Sequence, residues 1–484
     1  MTAEEERIAL QAENQALRQQ IEQRDKDLAQ RDEMIAQLLQ RVQVLEERLS
    51  KDSHNSHLPP SSDRFVRKQK SLRKPSGKKP GGQAGHQGKT LQFSSAPDEI
   101  VVHAVERCQH CKLDLRAVGP RALHRRQVLD LPPMRLVVRE HQAEQKYCPS
   151  CSQMTIAPFP ETVRAPLQYG PSIAAIGVYL VQQHLLPLAR TCEILEDIVG
   201  ASMSEATLCS LIQQCAENLG SMETQIKEAL VQAEVIHQDE TGLYVQGRRN
   251  WMHVTCTPLL THYLVHASRG HKALEAIGIV PDFTGTSVHD GWGSYFLYSC
   301  SHATCNVHLL RELTALAEEQ GLWWAAKLKG LLLDMKAATD QAREQGRSWL
   351  DPLEVADWQA HFLELLDEGD EAHPRAIAPP GKPGRAKQSA ARNLLDRLRK
   401  HQEAVWAFLE DLRVPFDNNL AERDLRMVKV QQKVSGCFRS LAGAQAFARI
   451  RGYLSTLRKQ GLPLLAALQA TLLGHPLLPS FSAT

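Results

Sequence analysis

The chain has 484 residues, more than one hydrophobic core usually supports, so its length predicts two to four domains. The formal net charge is only +2, yet residues 64–89 hold nine Lys or Arg and no Asp or Glu, which predicts a local segment that binds a polyanion. No apolar run of about 18 residues occurs and the N-terminus is charged, so we expect no membrane partner, no signal peptide and a cytoplasmic protein. Eleven cysteines in a chain of this length do not form a disulfide scaffold.

Residues 1–50 predict a coiled coil, because they contain no Gly or Pro and their apolar residues alternate in steps of four and three. The resulting leucine zipper would make the chain a homo-oligomer. Asn14 lies on the seam, where a buried amide can set register, whereas Arg24 and Arg31 weaken its middle. The alternative is a single amphipathic helix that packs on the protein's own body.

Residues 51–95 are rich in Ser, Pro, Gly and Lys, so we expect a basic flexible linker. Seven cations in it, named the linker cations below, are predicted to contact DNA phosphates: Arg67, Lys68, Lys70, Arg73, Lys74, Lys78 and Lys79. A solvated tether without DNA contacts is the alternative.

Two C-x2-C knuckles, CQHC and CPSC, lie within residues 96–160. Four thiolates at such spacing suit the tetrahedral geometry of Zn²⁺. We predict one structural Zn²⁺ in a closed, non-catalytic site, with a strand pair in the interval between the knuckles and four ligands: Cys108, Cys111, Cys148 and Cys151. Unliganded buried thiols are the alternative.

Residues 165–232 have a helical pattern. One helix is expected to end near Gly200, and Ser204 can cap the next, whose apolar stripe runs through Leu208, Leu211 and Ile212. This pattern is typical of a helix-turn-helix, whose second helix would enter a major groove. An ordinary antiparallel helix pair remains open.

After residue 233 the periodicity becomes that of strands. The segment EVIHQDETG indicates a short buried strand that ends at Asp239, two alternating runs indicate a hairpin, and GTSVHDG places Asp290 at another strand end. Adjacent parallel strands would hold these carboxylates close enough to share a metal ion, and a cation must offset their repulsion. Asp290 alone also fits a turn, because Asp before Gly is a common turn former.

A third carboxylate occurs in DNNLAERDLR, which predicts a helix capped by Asn418 or Asn419. Charged residues at steps of four, three and four share one face of this helix: Glu422, Arg426, Lys429 and Lys433. The packing face is apolar: Ala421, Leu425 and Val428. A surface ladder of ion pairs, each worth only tenths of a kcal/mol, is the alternative.

Two strand-end aspartates and a helix-borne glutamate are the arrangement of a polynucleotidyl transferase on an RNase H-like fold. Such carboxylates hold two divalent ions, Mg²⁺ or Mn²⁺, about 4 Å apart. We therefore expect Asp239, Asp290 and Glu422 to be the catalytic, metal-binding residues. The cations Arg426, Lys429 and Lys433 would then contact DNA phosphates.

Seven blocks along the chain resemble the transposases of the insertion sequence 66 family: KDSHNSHLPPSSD, GGQAGHQGKTL, the knuckles with YCPSC, DETG, HDGWGSYF, CNVHLLREL and DNNLAERDLR running into SGCFRS. The resemblance implies a DDE transposase in which the zinc-binding segment and the helix-turn-helix contact element ends on double-stranded DNA. It implies the same triad, a bacterial nucleoid-associated setting and possible accessory proteins from the same element. Where many members carry Gly-Arg-Lys, this chain has Gln432 before Lys433, which puts a cationic role at position 432 in doubt.

The expected architecture is multidomain and mainly α, with an α/β catalytic core. We place an RNase H-like DDE domain with a mixed sheet at 233–460, a helical insertion at 311–413 and a C-terminal tail at 461–484. In CNVHLLREL the spacing of Cys305 and His308 could bind zinc, but no second pair is evident, so these two residues and Arg311 are expected to support the active site.

Two other functions remain open. A nuclease or resolvase would use the same triad but cut without joining, and a DNA-binding regulator would carry a degenerate catalytic domain.

Overall fold

The computed structural model describes residues 90–377 and 386–481, together with a few separate helical positions between Gln23 and Leu38. The predicted coiled coil is therefore described only at those positions, and most of the linker, with all seven linker cations, lies outside the described residues. The described part contains thirteen α-helices and seven strands. Among its helices we find none that is both long and apolar enough to cross a membrane.

The chain divides into two compact units. The smaller consists of residues 65–142 with Ile194–Ser202, and it holds the first cysteine knuckle. The strand pair predicted between the knuckles is not found, because within the described residues no strand occurs between residues 115 and 144. Apolar side chains there, such as Val128 and Val138, are exposed and have no core that would hold strands together.

The larger unit is built on a five-stranded mixed sheet. Its strands are β3 Val235–Val245, β4 Arg248–Cys256, β5 Thr261–His266, β6 Thr286–His289 and β7 Ser301–Thr304, in the order β5-β4-β3-β6-β7. The pairs β3 with β4 and β4 with β5 are antiparallel, whereas β3 with β6 and β6 with β7 are parallel. The predicted hairpin is therefore present as β4 and β5.

One sequence expectation about this sheet is wrong, since Asp239 lies inside β3 and not at its end. Beyond Asp239 the strand continues to pair with β4 as far as Val245. Pairing with β6 stops at His237, so only the parallel edge of β3 ends before Asp239.

A helical layer precedes the sheet in sequence: α1 Pro171–Gln182, α2 Leu188–Val199, α3 Glu205–Asn218 and α4 Gly220–Val231. Ser204 caps α3 as predicted, since its hydroxyl accepts a hydrogen bond of 3.1 Å from the Thr207 amide. The apolar side of α3 contacts α1 and the C-terminal helices described below. Helix α3 contains no Lys or Arg, and Glu205 and Glu217 are exposed on it, so a groove-reading role for α3 would lack phosphate-binding cations.

The helical block expected at 311–413 begins earlier, because α6 starts at Asn306. A short helix, α5 His271–Ile277, precedes β6 and is not part of the block. The block contains α6 Asn306–Gln320, α7 Trp323–Glu344, α8 Pro352–Ala372, α9 Ala390–Lys400 and α10 Gln402–Glu410. These helices share one hydrophobic cluster with Val288 of β6 and Ala303 of β7. The helices that lie between β7 and residue 411 in sequence therefore contribute to the hydrophobic core of the larger unit.

The last helices are α11 Asn419–Ser435, α12 Leu441–Lys459 and α13 Leu464–Leu472. Helix α11 packs against β3 and β4, and α12 packs against β5. Residues 461–484, expected to be a tail, contain α13, which contacts α1 and α3. The Asn218 side chain donates to the Thr471 carbonyl at 2.8 Å, so α1 and α3 pack directly against the C-terminal helices.

Candidate active site and metal-binding residues

Asp239 in β3 and Asp290, the residue that directly follows β6, lie at matching offsets beyond the parallel pairing of these strands. The last registered pair of β3 and β6 is His237 with Val288, and each aspartate lies two residues beyond that pair. Residues two apart on a strand point to the same face, so both carboxylates follow the same side of the sheet. They meet where the parallel pairing ends.

Asp290 also makes the turn that its sequence context indicates. Its Oδ1 accepts a hydrogen bond of 2.9 Å from the Trp292 amide, and Gly291 has φ +83°, a conformation that favours glycine. The turn and the site are compatible, because the second carboxylate oxygen remains directed to other partners.

The two aspartates carry an electrostatic penalty. Burial, followed by the charges of Glu240 and Asp290, raises the pKa of Asp239 well above its ordinary value. Burial and then Glu240 raise the pKa of Asp290, while the Arg269 charge and the Trp292 amide oppose the rise. Buried carboxylates of this kind are ready ligands for a divalent cation, which would remove the repulsion.

The sequence reading missed two residues of this site: Glu240, a further buried carboxylate, and Arg269, the cation that partly neutralises the acidic groups. Glu240 has only 1% of its side chain exposed; it accepts hydrogen bonds from Arg269 Nε at 2.5 Å and from the Tyr295 hydroxyl at 2.6 Å. Arg269 Nη2 also lies 3.4 Å from Asp290 Oδ2, and its guanidinium stacks on Trp292 with 4.1 Å to the ring centroid. The DETG motif could have signalled Glu240, but Arg269 comes from a loop 29 residues away with no motif of its own.

Glu422 reaches the site from the first turn of α11. The packing face of this helix is buried as predicted at Ala421, Leu425 and Val428. Burial acts to raise the pKa of Glu422, but contact with His308 and the charges of Arg311 and Arg426 outweigh it and lower the pKa. Glu422 contributes to the raised pKa of Asp239, so the three predicted carboxylates share one electrostatic environment.

Asn418 ties the start of α11 to β3. It precedes the helix as predicted, yet its side chain does not cap the helix. Instead its amide donates to the Gln238 carbonyl at 2.7 Å and its Oδ1 lies 2.9 Å from His237 Nδ1. These contacts fix the distance between the strand that carries Asp239 and the helix that carries Glu422.

The CNVHLLREL block joins the same site. Cys305 precedes α6, His308 lies in its first turn, and one ligand atom of each lies with one of Glu422 inside a mutual separation of 4.8 Å. Burial raises the pKa of the Cys305 thiol to about 12. Asp239, Asp290 and Glu422 do not form such a compact group among the described residues, so their joint metal binding stays a prediction.

The predicted cations of α11 differ in environment. Arg426 and Lys433 are exposed, whereas Lys429 is half-buried and its Nζ donates to the Gly242 carbonyl at 3.3 Å. Burial and then the charge of Arg249 lower the pKa of Lys429. Gln432 donates to the same carbonyl at 2.9 Å, so this residue links α11 to β3 without a charge.

The two cysteine knuckles have the same backbone turn. In the first, the Cys108 amide donates to the Leu113 carbonyl at 2.8 Å; in the second, the Cys148 amide donates to the Gln153 carbonyl at 2.9 Å. Hydrogen bonds from the knuckle's own backbone, first from the second cysteine of each pair, lower the pKa of Cys108 and of Cys148. A lowered thiol pKa favours the thiolate that binds Zn²⁺, so each knuckle fits that ion. The second knuckle lies between β1 Gln145–Tyr147 and β2 Met154–Ile156, which pair antiparallel.

Comparison with known families identifies the chain's relatives. The profile of the Transposase IS66 family matches residues 166–446, which is more than half of the chain. The chain belongs to the IS66 family of transposases. The zinc-finger binding domain of transposase IS66 matches residues 106–152, which include all four knuckle cysteines, and a family of unknown function matches residues 2–92. No curated protein matches the chain.

The family assignment confirms the resemblance found in the sequence. Both the catalytic part and the zinc finger of an IS66 transposase are present, which supports a structural zinc ion and suggests DNA binding. The matched range includes Asp239, Asp290 and Glu422.

Proposed function

We propose that the chain is a DNA transposase that binds the terminal inverted repeats of an insertion sequence and catalyses DNA cleavage and strand transfer. Asp239, Asp290 and Glu422 are its metal-binding catalytic residues. The observation that carries the proposal is the shared register of the two aspartates on β3 and β6, with the Glu422 helix held against β3 by Asn418.

The strand order supports an RNase H-like core. Three antiparallel strands are followed across the sheet by two parallel ones, and α11 lies against β3 and β4. An acidic site at the end of the β3 and β6 pairing suits phosphodiester chemistry, because carboxylates can bind the divalent cations that neutralise charge around the phosphate.

Two ions of Mg²⁺ or Mn²⁺ would stabilise the entering and leaving oxygens in an in-line displacement at phosphorus. Side chains of the protein would supply charge balance and DNA binding. Arg269 balances Glu240 and Asp290 and thereby keeps the buried acidic cluster foldable before metal binds. Arg426 and Lys433 lie exposed on α11 beyond Glu422, where they would bind the backbone of the DNA end.

DNA recognition belongs to the segments before the sheet. The zinc-binding domain would contact the element ends, and the linker cations would follow the phosphate backbone. The predicted coiled coil would pair two chains on two ends, with accessory proteins of the same element as possible partners. Such a protein would act on the bacterial nucleoid.

The test uses the purified full-length chain with labelled element ends, Mg²⁺ and a target plasmid, followed by sequencing of the junctions. We expect strand transfer by the native chain. The variant Glu422→Gln should lose cleavage and joining while still binding the ends, because the amide keeps the side chain's shape but loses its charge.

The matched control is Glu403→Gln, which changes an exposed helical glutamate on α10 and should stay active. Asp424, although on the same helix as Glu422, is unsuitable because it is buried and bonded to Lys459 at 2.8 Å. Cleavage without joining would establish the nuclease instead, and end binding without cleavage would establish the regulator. Full activity of Glu422→Gln would remove Glu422 from the triad.

A further inference from the structure

Three side chains that could bind one metal ion lie together beside the acidic site. They are Cys305, just before α6, His308 in the first turn of α6 and Glu422 in the first turn of α11. One ligand atom from each lies within 4.8 Å of the other two. The group combines a thiol, an imidazole and a carboxylate, which differs in kind from the oxygen ligands of Mg²⁺.

The separations fit a tetrahedral ion. Ligands about 2.0 to 2.3 Å from such an ion lie roughly 3.4 to 3.6 Å from one another. His308 Nε2 lies 3.3 Å from Glu422 Oε1, which already matches that separation. Since no two of the ligand atoms are more than 4.8 Å apart, the widest distance needs to shorten by no more than about 1.4 Å, within the reach of a side-chain rotation.

An ordinary ion pair explains the group less well. Charge-assisted hydrogen bonds are about 2.7 to 2.9 Å long, shorter than the 3.3 Å found here. Glu422 Oε1 is buried without a hydrogen bond, which leaves this carboxylate oxygen unsatisfied. A cation between Glu422 Oε1 and His308 Nε2 would supply the missing partner.

The position of Cys305 also suits metal binding. Its Sγ accepts a hydrogen bond of 3.2 Å from the backbone amide of Asn418. A neutral thiol is a weak acceptor, whereas a metal-bound thiolate is a strong one. A pocket lined by Asp290, Cys305 and His308 gives access to the group.

We propose that Cys305, His308 and Glu422 bind one Zn²⁺ ion, with a fourth position left open to water. Thiolate and imidazole ligands favour Zn²⁺ over Mg²⁺, so the site selects a borderline-soft ion. This ion is additional to the one in the zinc finger. If Glu422 is also the third catalytic carboxylate, which rests on the proposed function, Zn²⁺ here withdraws Glu422 from catalysis and inhibits Mg²⁺-dependent transfer.

The test counts zinc in the full-length chain by elemental analysis after equilibration with Zn²⁺ and removal of excess metal. Native protein should hold two equivalents, and Cys305→Ser and His308→Gln should each hold one. Cobalt substitution supplies a second readout, since the absorption of a single-thiolate site should disappear in Cys305→Ser while that of the four-thiolate site remains. The control is Cys300→Ser, another buried cysteine outside the group, which should keep two equivalents.

An equal zinc content in native protein, Cys305→Ser and His308→Gln would overturn the proposal. If Cys305→Ser does not fold, His308→Gln decides, because His308 is partly exposed and lies in a helix that tolerates glutamine. Transfer is measured separately, in Mg²⁺ and without added Zn²⁺. If the two variants lose one zinc equivalent but native protein transfers no DNA under these conditions, this site is upheld and the proposed function is refuted. If native protein transfers DNA but native protein and both variants hold one equivalent each, the proposed function is upheld and this site is refuted.

Discussion

Asn418 should be the residue whose truncation most clearly separates the architecture of the site from its chemistry. Only 2% of it is exposed, and its side chain joins α11 to β3 through the Gln238 carbonyl and the His237 ring. Replacing it with alanine removes both hydrogen bonds without touching any predicted metal ligand. Its neighbour Asn419 is exposed and serves as the matched control.

The magnitude follows from these hydrogen bonds. Each net hydrogen bond contributes about 1 kcal/mol, and a buried partner left unsatisfied costs about 1 to 3 kcal/mol. Asn418→Ala leaves the Gln238 carbonyl and His237 Nδ1 without these partners, so we expect the free energy of unfolding of the catalytic unit to fall by about 2 to 4 kcal/mol. Asn419→Ala should change it by less than about 0.5 kcal/mol.

Hydrogen exchange measured by mass spectrometry over β3 and α11 is the appropriate assay, because it reports the opening of these elements separately from the rest of the chain. Faster exchange in both elements of Asn418→Ala, with native exchange in Asn419→Ala, is the expected result. Asn418→Asp should lie between them, since it keeps an acceptor for His237 and loses the donor to Gln238. Equal exchange in the two alanine variants would refute the view that Asn418 links the helix to the strand.

Three further outcomes are expected. Asp239→Asn should raise the melting temperature of metal-free protein near pH 7. Burial and the neighbouring carboxylates raise the pKa of Asp239 in the folded state. Its neutral carboxyl is therefore compatible with the fold at low pH, and this stability is lost as pH rises through the folded-state pKa. The gain should shrink as pH falls toward about 4 and reverse when a divalent ion is added, and a lower melting temperature at every pH would contradict it. Elemental analysis should find one zinc equivalent fewer in Cys108→Ser than in native protein, whereas Cys437→Ser, at another exposed cysteine, should lose none. Neutralising the seven linker cations should flatten the dependence of DNA affinity on salt by about one unit of slope for each phosphate that the linker no longer neutralises, and an unchanged slope would make the linker a tether.

Local periodicity was sufficient wherever one element decides the outcome. The faces of α11 follow from spacing alone, because residues three and four apart share a side of any helix. The cap of α3 by Ser204 and the hairpin of β4 and β5 are also local patterns. The family followed from short blocks whose order and content are specific, and the match over residues 166–446 confirmed it.

Element boundaries and shared cores were decided by residues that are distant in sequence. Asp239 was expected at a strand end because β3 was judged without β4, whose pairing extends the strand to Val245. The helical block was expected to begin at residue 311, whereas its first helix begins at Asn306. The block packs on Val288 and Ala303 and is therefore part of the core. No sequence pattern within the block predicts that packing.

The chemistry of the site shows the same division. The sequence by itself predicted Asp239, Asp290 and Glu422 as metal-binding residues, since each lies in a motif readable by itself. Only the tertiary structure decided that Arg269 neutralises Glu240 and Asp290, and that Glu422 lies beside Cys305 and His308. Ligand sets and charge balance depend on distances between residues that lie far apart along the chain. Folding sets these distances when it brings the elements together, and spacing in the sequence does not predict them.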